Sequence, residues 1–253
     1  MIIVRHGEIY TKTEPVRNLF VRRLAGNIRI ALPDAKIETK RWRIIVEDKD
    51  AQKTLNRIFG IVSYSPAEEC KADLTDIEKM VEKHFLKEFK GKKFAVRTQK
   101  IDSKMSSMQI NIKIGDLIRI KAKAKVNLDN PEKTLYIEID GSKAYVFTEF
   151  IEGPGGLPLG TAENRVKLLG TKENDLIGAW MIMKRGASIT PVPAKLRRWA
   201  YGNSQKGEIL ALVCGSTNLE EFIKLQSKTK LPLFAPLIGM SKGEITALKR
   251  KVL

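Results

Sequence analysis

The sequence predicts a multidomain chain, with α+β modules in residues 1–152 and an α/β module with a mostly parallel sheet in residues 161–253. The first part opens with predicted elements in the order βαββαβ, and the last part alternates strands with helices. Between them, residues 153–160 hold four glycines and two prolines and read as a linker or a shaped loop. A chain of 253 residues has room for two or three compact modules.

The first module, residues 1–66, has the element order of a ferredoxin-like domain. Its first helix is predicted at 17–32, because apolar residues recur there at helical spacing and Pro33 ends the run. A short second helix is predicted at 51–59, closed by Gly60. The strands are predicted at 2–5, 36–39, 43–46 and 61–65.

The second module, residues 67–152, combines a helix with a β-hairpin. Apolar residues at helical spacing predict a helix over 73–89. The dipeptide Asp140–Gly141 predicts a tight turn between two strands. Strands are predicted at 93–97, 134–139 and 143–150. The stretch Met108–Ile114 alternates apolar and polar residues, so periodicity alone predicts a further strand there.

The third module, residues 161–253, has the pattern of an α/β domain. Four strands are predicted at 166–169, 188–192, 208–213 and 233–235. Three helices are predicted at 175–185, 218–228 and 241–251. Strands that alternate with helices form a mostly parallel sheet, in which ligands bind at the carboxyl ends of the strands.

The charge of the chain favours a polyanionic partner. The formal net charge is +17, and residues 90–125 alone contain 11 basic and 2 acidic side chains. Segregated positive charge of this kind suits a surface that follows phosphates. Evenly mixed positive and negative charges would cancel one another at distances beyond the Debye length of about 8 Å. The charge pattern therefore predicts a basic, phosphate-following face in the second module; a polybasic membrane-surface protein or a merely very soluble protein would have a similar net charge.

Other site classes have little support in the sequence. No apolar run reaches the roughly 20 residues of a membrane span. The first residues lack the features of a signal peptide, which makes the cytoplasm the expected location. Cys70 and Cys214 are the only cysteines, and the two histidines stand far apart, so we expect no metal site and two structural cysteines.

Four sequence blocks together resemble the tRNA 4-thiouridine synthetase (tRNA sulfurtransferase) family. They are ValArgHisGlyGluIle at 4–9, SerMetGlnIleAsn at 107–111, GlyProGlyGlyLeuPro at 153–158, and MetLysArgGly at 183–186 with the later segment 236–245. Family members join a ferredoxin-like domain, a THUMP domain and a PP-loop ATP pyrophosphatase domain. The resemblance implies a THUMP domain at 67–152 and a PP-loop-like domain at 161–253. It also implies a helix at 106–119, against the alternation, because the matching THUMP segment is helical.

The resemblance breaks down at the nucleotide loop. Active members carry SGGxDS, whose backbone N–H groups cradle ATP phosphates at a helix N-terminus. The six matching positions here are Gly170, Thr171, Lys172, Glu173, Asn174 and Asp175. Both inner glycines are replaced, and Glu173 adds negative charge near the phosphate position. The GES-type segment reads CysGlySerThrAsnLeu at 214–219, and the family's downstream cysteine has no counterpart before Leu253. We therefore expect a degenerate nucleotide loop, no catalytic residues, and no cofactor.

The resemblance implies that the first two modules hold the acceptor end of tRNA. The candidate RNA-binding residues are Arg97, Lys100, Lys104, Ser106, Ser107, Asn111, Lys121, Lys123 and Lys125, with Lys40, Arg41 and Arg43 extending the same surface. Lys121, Lys123 and Lys125 would share one face if the chain were extended there. Taken singly, each lysine is also compatible with an ordinary solvated face. The basic segment 195–199 could contact RNA or a protein partner.

Three hypotheses about function follow. The first is a tRNA-binding protein that lacks its own ATP adenylation and acts as a homodimer or with a partner sulfur-transfer enzyme. The second is an active ATP-dependent tRNA uridine sulfurtransferase that uses a rearranged loop and binds ATP. The third is a scaffold whose last domain is chiefly a dimer interface.

Overall fold

The computed structural model describes residues 1–7, 13–40, 43–48, 50–102 and 106–253, which form two compact units. The small unit consists of residues 1–3 and 65–151, and the large unit of residues 4–64 and 152–253. Within the described ranges, no helix combines the length and the apolar character that crossing a membrane requires.

The first 66 residues have the predicted βαββαβ order. Pro15, in the first turn of α1, has a fixed φ that suits a helix start, and α1 begins earlier than predicted. Its apolar side is buried, with Val21, Leu24 and Ile28 at helical spacing. The sheet has the strand order β10-β4-β1-β3-β2. The elements are β1 (Ile2–His6), α1 (Glu14–Ala31), β2 (Lys36–Thr39), β3 (Ile44–Glu47), α2 (Gln52–Leu55), β4 (Ile61–Pro66) and, after the small unit, β10 (Ile151–Glu152).

The small unit is a five-stranded sheet packed against two helices. Its strand order is β5-β9-β8-β6-β7, with β6 parallel to both β7 and β8. The predicted helix 73–89 is divided, because the α-helix ends at His84 with Phe85 as its C-terminal cap and a 3₁₀ turn follows at Leu86–Phe89. The elements are β5 (Glu68–Lys71), α3 (Leu74–His84), β6 (Lys93–Asp102), α4 (Ser107–Lys121), β7 (Lys125–Val126), β8 (Lys133–Asp140) and β9 (Lys143–Phe147).

The segment that alternates in sequence is helical in the structure, so the strand predicted from periodicity is wrong and the helix implied by the resemblance is confirmed. Ile110, Ile114 and Ile118 lie four residues apart and are buried against the sheet. Met108 and Ile112 are 71% and 53% exposed. A spacing of four satisfies a helix face and a strand face alike, which explains why alternation could not separate the two.

The last part of the large unit is a parallel α/β sheet, as predicted. The strand order is β12-β11-β13-β14, and every paired strand is parallel to its neighbour. A 3₁₀ helix at Ala194–Trp199 did not appear in the sequence pattern. The elements are β11 (Arg165–Leu168), α5 (Glu173–Lys184), β12 (Ser188–Thr190), β13 (Ile209–Val213), α6 (Leu219–Gln226), β14 (Leu233–Phe234) and α7 (Lys242–Val252).

Residues 153–160, predicted as a linker or a shaped loop, form a shaped loop inside the large unit. The Gly60 N–H donates to the Gly155 carbonyl at 2.9 Å, and the Gly155 N–H donates to Ile61 at 2.8 Å. At the other end, the Gly160 N–H donates to Gly186 at 2.9 Å. Backbone hydrogen bonds on both sides therefore fix the course of this loop.

A side chain at Gly156 is expected to destabilise the large unit. Gly156 has φ +76°, and a Cβ there would collide with the Lys184 carbonyl oxygen. Gly156→Ala should therefore cost about 3 kcal/mol, the sum of left-handed strain and displacement of a hydrogen-bonded loop. Gly239 is the matched control, because its φ is +85° and nothing lies within 4 Å of its Cβ position. Urea unfolding of both variants measures the difference, and an equal loss would contradict the prediction.

Candidate functional site

Two of the predicted RNA-binding residues lie at the N-terminus of α4. Ser106 caps the helix, since its Oγ accepts from the Gln109 N–H at 3.4 Å, and Ser107 is the first helical residue. Asn111 follows one turn later, and its Oδ1 is buried without a hydrogen-bond partner among the described residues. The partial positive charge of a helix N-terminus favours an anion here. Lys104, predicted to lie beside these residues, falls outside the described ranges.

Two further candidates lie on β6. Arg97 and Lys100 are both exposed. The Arg97 Nη2 donates to the Leu128 carbonyl at 3.5 Å, which leaves most of its guanidinium facing solvent. Lys100 lies near the end of β6, six residues before the helix cap at Ser106. Both cations are therefore accessible to a polyanion.

The three alternating lysines are not on one extended strand. Lys121 ends α4, Lys123 has a left-handed φ of +51°, and Lys125 begins β7. Their side chains nevertheless all face solvent, because Ala122 and Ala124 between them are buried. Lys121 forms an ion pair with Glu82 on α3. Its positive charge is partly neutralised, unlike that of the other two.

The fold brings Lys123 and Lys125 next to three lysines that the sequence interpretation did not single out. The Gly91 N–H donates to the Ala122 carbonyl at 3.1 Å, and the Lys125 N–H donates to the Lys92 carbonyl at 3.0 Å. All five lysines are exposed, and none has an ion pair among the described residues. We call this group the lysine cluster; its members are Lys90, Lys92, Lys93, Lys123 and Lys125. The basic excess of residues 90–125 was the only sequence signal for it.

Two groups therefore lie at opposite ends of α4, whereas Arg97 and Lys100 on β6 belong to neither. The groups are the polar residues Ser106, Ser107 and Asn111 and the lysine cluster. The helix has 15 residues, which corresponds to a length of about 22 Å at 1.5 Å per residue. The polar residues lie at its N-terminal end, and the lysine cluster follows its C-terminal end. A polyanion that reached both groups would have to extend along the helix.

The candidates of the large unit are less suited to RNA contact. Lys40 forms an ion pair with Glu38 at 2.6 Å. Arg43 is only 7% exposed and lies close enough to the buried His6 to influence its protonation. Arg41 falls outside the described residues.

Stability is expected to fall below pH 6.5 because of His6. Burial, with Arg17 and Arg43 nearby, lowers the pKa of His6 from 6.5 to about 4. Between these two pKa values the unfolded chain binds a proton at His6 that the folded chain does not bind. The contribution of the neutral His6 to the free energy of unfolding is therefore complete above pH 6.5 and is lost as the pH falls towards 4. The full contribution amounts to about 3 kcal/mol.

The exposed His84 provides the control for this prediction. Urea unfolding between pH 7 and pH 5, a range in which ordinary carboxylates titrate little, measures the dependence. His6→Gln should flatten it, whereas His84→Gln should leave it unchanged. Parallel curves for the wild type and His6→Gln would contradict the assignment.

The predicted nucleotide loop lies where a phosphate-binding loop belongs, between the end of β11 at Leu168 and the start of α5 at Glu173. The space at the helix N-terminus contains the Asp175 carboxylate. Its Oδ2 accepts from the Lys172 N–H at 3.0 Å, and its Oδ1 accepts from the Gly215 N–H at 2.7 Å. Two backbone donors beside the helix N-terminus, those of Lys172 and Gly215, thus already bind a carboxylate of the chain itself.

Glycines on both sides make room for this carboxylate. A Cβ at Gly170 would collide with the Asp175 carboxylate, and a Cβ at Gly215 would collide with the backbone of Asn174 and Asp175. Gly170 stands at the first of the six matching positions, where the family motif has serine, and the Asp175 carboxylate occupies the space that its side chain would need. Thr171 and Lys172 are exposed, and Glu173 pairs with Lys249 at 3.2 Å.

A cavity of about 460 Å³ opens beside the loop, at the carboxyl ends of β11 and β13. Three carboxylates line it, those of Glu173, Asp175 and Glu221, against the two cations Lys172 and Lys249. Their formal charges sum to −1, which disfavours a triphosphate.

Cys214 also lines this cavity. Burial raises the pKa of its thiol; a backbone hydrogen bond from Ser216 opposes this rise, and the neighbouring Asp175 and Glu221 add to it. Burial likewise raises the pKa of Cys70 to about 11. Both thiols stay protonated at neutral pH, which makes them poor nucleophiles.

Family models match the first two predicted modules. The ThiI ferredoxin-like domain matches residues 1–65, and the THUMP domain matches residues 71–149. The ferredoxin-like and THUMP assignments are therefore confirmed.

Curated relatives match further along the chain. A probable tRNA sulfurtransferase of Methanobrevibacter smithii is 33% identical over 75% of this chain and 52% of its own length. One of Thermococcus kodakarensis is 33% identical over 88% of this chain and 66% of its own length. The chain thus spans between half and two thirds of these relatives.

Two solved structures have the same fold. PH1313 of Pyrococcus horikoshii has a TM-score of 0.84 at 29% identity and covers 99% of this chain and 98% of its own. A 4-thiouridine synthetase, solved as an RNA complex with bound ATP, has a TM-score of 0.82 at 22% identity and covers 99% of this chain and 84% of its own. The chain is a THUMP protein similar to tRNA sulfurtransferases, with a ThiI ferredoxin-like domain at its start and a parallel α/β sheet at its end.

Proposed function

We propose that this chain binds tRNA through its small unit and holds the acceptor end. The lysine cluster carries the proposal, because five exposed cations without ion pairs among the described residues attract a phosphate backbone through counterion release. Ser106 and Ser107, at the other end of α4, supply a second set of RNA contacts about 22 Å away along the helix. The THUMP match and the RNA bound in the 4-thiouridine synthetase structure agree with this proposal.

Binding to intact and trimmed tRNA tests the proposal. Filter binding should give a higher affinity for intact tRNA than for tRNA lacking its 3′-terminal nucleotides. Affinity for both should fall steeply with salt, because phosphate contacts release counterions. Equal, weak binding to both RNAs at low salt would refute the proposal.

We further propose that the chain does not adenylate tRNA by itself. The Asp175 carboxylate already accepts from the Lys172 and Gly215 N–H groups, and the adjoining cavity is net negative in formal charge. ATP binding would have to displace this carboxylate and overcome its charge. Under this proposal a partner sulfur-transfer enzyme supplies the modifying chemistry.

The alternative is an active ATP-dependent tRNA sulfurtransferase. Two observations favour it, namely the name shared by the curated relatives and the 460 Å³ cavity that remains at the carboxyl ends of the strands. A ligand that binds the folded state raises the melting temperature. An ATP-induced thermal shift together with tRNA-dependent release of pyrophosphate would establish this alternative, and the absence of both would leave the tRNA-binding proposal.

A further inference from the structure

A second cavity in the large unit is distinct from the nucleotide loop. Its volume is about 400 Å³, within the range of small-ligand sites, which is about 300–1,000 Å³. Three elements bring cations to it: Arg57 follows α2, Arg198 lies on the 3₁₀ helix and Lys251 on α7. One carboxylate, that of Glu152, lies among them. We call this space the basic cavity.

The guanidinium of Arg198 is held in place at the wall of the basic cavity. Its Nη2 donates to the Val252 carbonyl at 2.9 Å, and the buried Trp199 donates from Nε1 to the same oxygen at 3.2 Å. The Arg198 Nε is buried and has no hydrogen-bond partner among the described residues. The buried Nε is not accessible to a ligand. Among the described residues the guanidinium makes only the bond to Val252, so its Nη groups keep donors with which an oxygen in the cavity could form charge-assisted hydrogen bonds.

The positive charge of the basic cavity is not compensated within the described part of the large unit. Neither Arg57 nor Lys251 forms an ion pair there, and Glu152 pairs with none of the three cations. The formal sum is +2, from three cations and one carboxylate. Two guanidinium groups and one ammonium group suit the oxygens of a phosphate, which arginine can bind in bidentate fashion.

We propose that the basic cavity binds a phosphate group. The phosphate could belong to an RNA strand or be a free phosphate ion, and both present the same oxygens to the three cations. Occupation by an RNA phosphate rests on the proposed tRNA-binding function, whereas occupation by a free phosphate ion does not. The sequence left open whether segment 195–199 contacts RNA or a protein. Under this proposal the segment binds phosphate through Arg198.

Inorganic phosphate tests the site without RNA. We expect phosphate, compared with chloride at matched ionic strength, to raise the melting temperature of the wild type. The variant R57Q/K251Q should lose this rise. The variant R250Q/K228Q should keep it, because it removes the same charges from exposed positions of the large unit outside the cavity. E152Q should enlarge the rise, since it removes the only carboxylate, an effect that loss of structure could not produce.

Titration with tRNA at several salt concentrations identifies the source of the phosphate. If RNA occupies the cavity, R57Q/K251Q should reduce the slope of log affinity against log salt by about 1 to 2 relative to R250Q/K228Q. A phosphate response without this change would assign the cavity to the free ion. Identical behaviour of the two double variants in both experiments would overturn the proposal. A phosphate response in a chain that binds no tRNA would refute the tRNA-binding function and leave the cavity assignment intact.

Discussion

The variant K92Q/K123Q/K125Q is expected to bind tRNA about 100-fold more weakly than the wild type at low salt, if each phosphate contact contributes about 1 kcal/mol. The three lysines are exposed, adjacent and without ion pairs among the described residues. Their removal deletes charge without removing buried contacts. The slope of log affinity against log salt should fall by about 2 to 3, because fewer counterions are released.

A second triple variant separates local from overall charge. K224Q/K228Q/K230Q removes the same three charges from exposed positions at the end of α6, in the large unit. Its affinity should fall much less if tRNA contacts the lysine cluster directly. Equal losses in the two variants would mean that net charge alone governs binding, and the cluster would no longer be a specific site.

The substitution Asp175→Ala is expected to destabilise the large unit by about 3 kcal/mol. The carboxylate accepts two backbone hydrogen bonds, from Lys172 at 3.0 Å and from Gly215 at 2.7 Å, and bonds to a charged acceptor contribute about 1.5–3 kcal/mol each without adding fully. The substitution removes the helix cap and also the connection between the loop and the end of β13. Urea unfolding followed by tryptophan fluorescence measures this loss, because Trp180 and Trp199 are buried in the same unit.

Glu244→Ala provides the matched control for Asp175→Ala. Glu244 occupies the equivalent position of α7, where it accepts from the Ser241 N–H at 2.8 Å in a second capping box. It caps only its own helix and connects no other element through the bonds of that box. Its loss should therefore cost clearly less than that of Asp175. Similar costs would show that Asp175 acts only as a helix cap. The proposal that its carboxylate occupies the phosphate position of the loop would then lose its main support.

Much of the candidate site was accessible from the sequence, and the remainder depended on folding. The replacement of both inner glycines by Thr171 and Lys172 predicts a changed loop from the sequence alone. The position of the Asp175 carboxylate could not be predicted, since its second donor, Gly215, is 40 residues away in the chain. The basic cavity could not be predicted for the same reason, because Arg57 and Arg198 come from segments far apart in sequence.

The sequence by itself determined the βαββαβ order of the first 66 residues, the parallel α/β sheet and the basic character of residues 90–125, because periodicity and local charge are properties of neighbouring residues. It did not indicate the short strands β5, β7 and β10 or the 3₁₀ helix at Ala194–Trp199. Periodicity could not decide the conformation of Met108–Ile114, since apolar residues four apart suit a helix and a strand equally, and only the resemblance of this segment to the THUMP family implied a helix. Burial of Ile110, Ile114 and Ile118 against the sheet decided it. Tertiary structure also decided which lysines act together: backbone hydrogen bonds place residues 90–93 beside 123–125, whereas Lys121 is paired with Glu82.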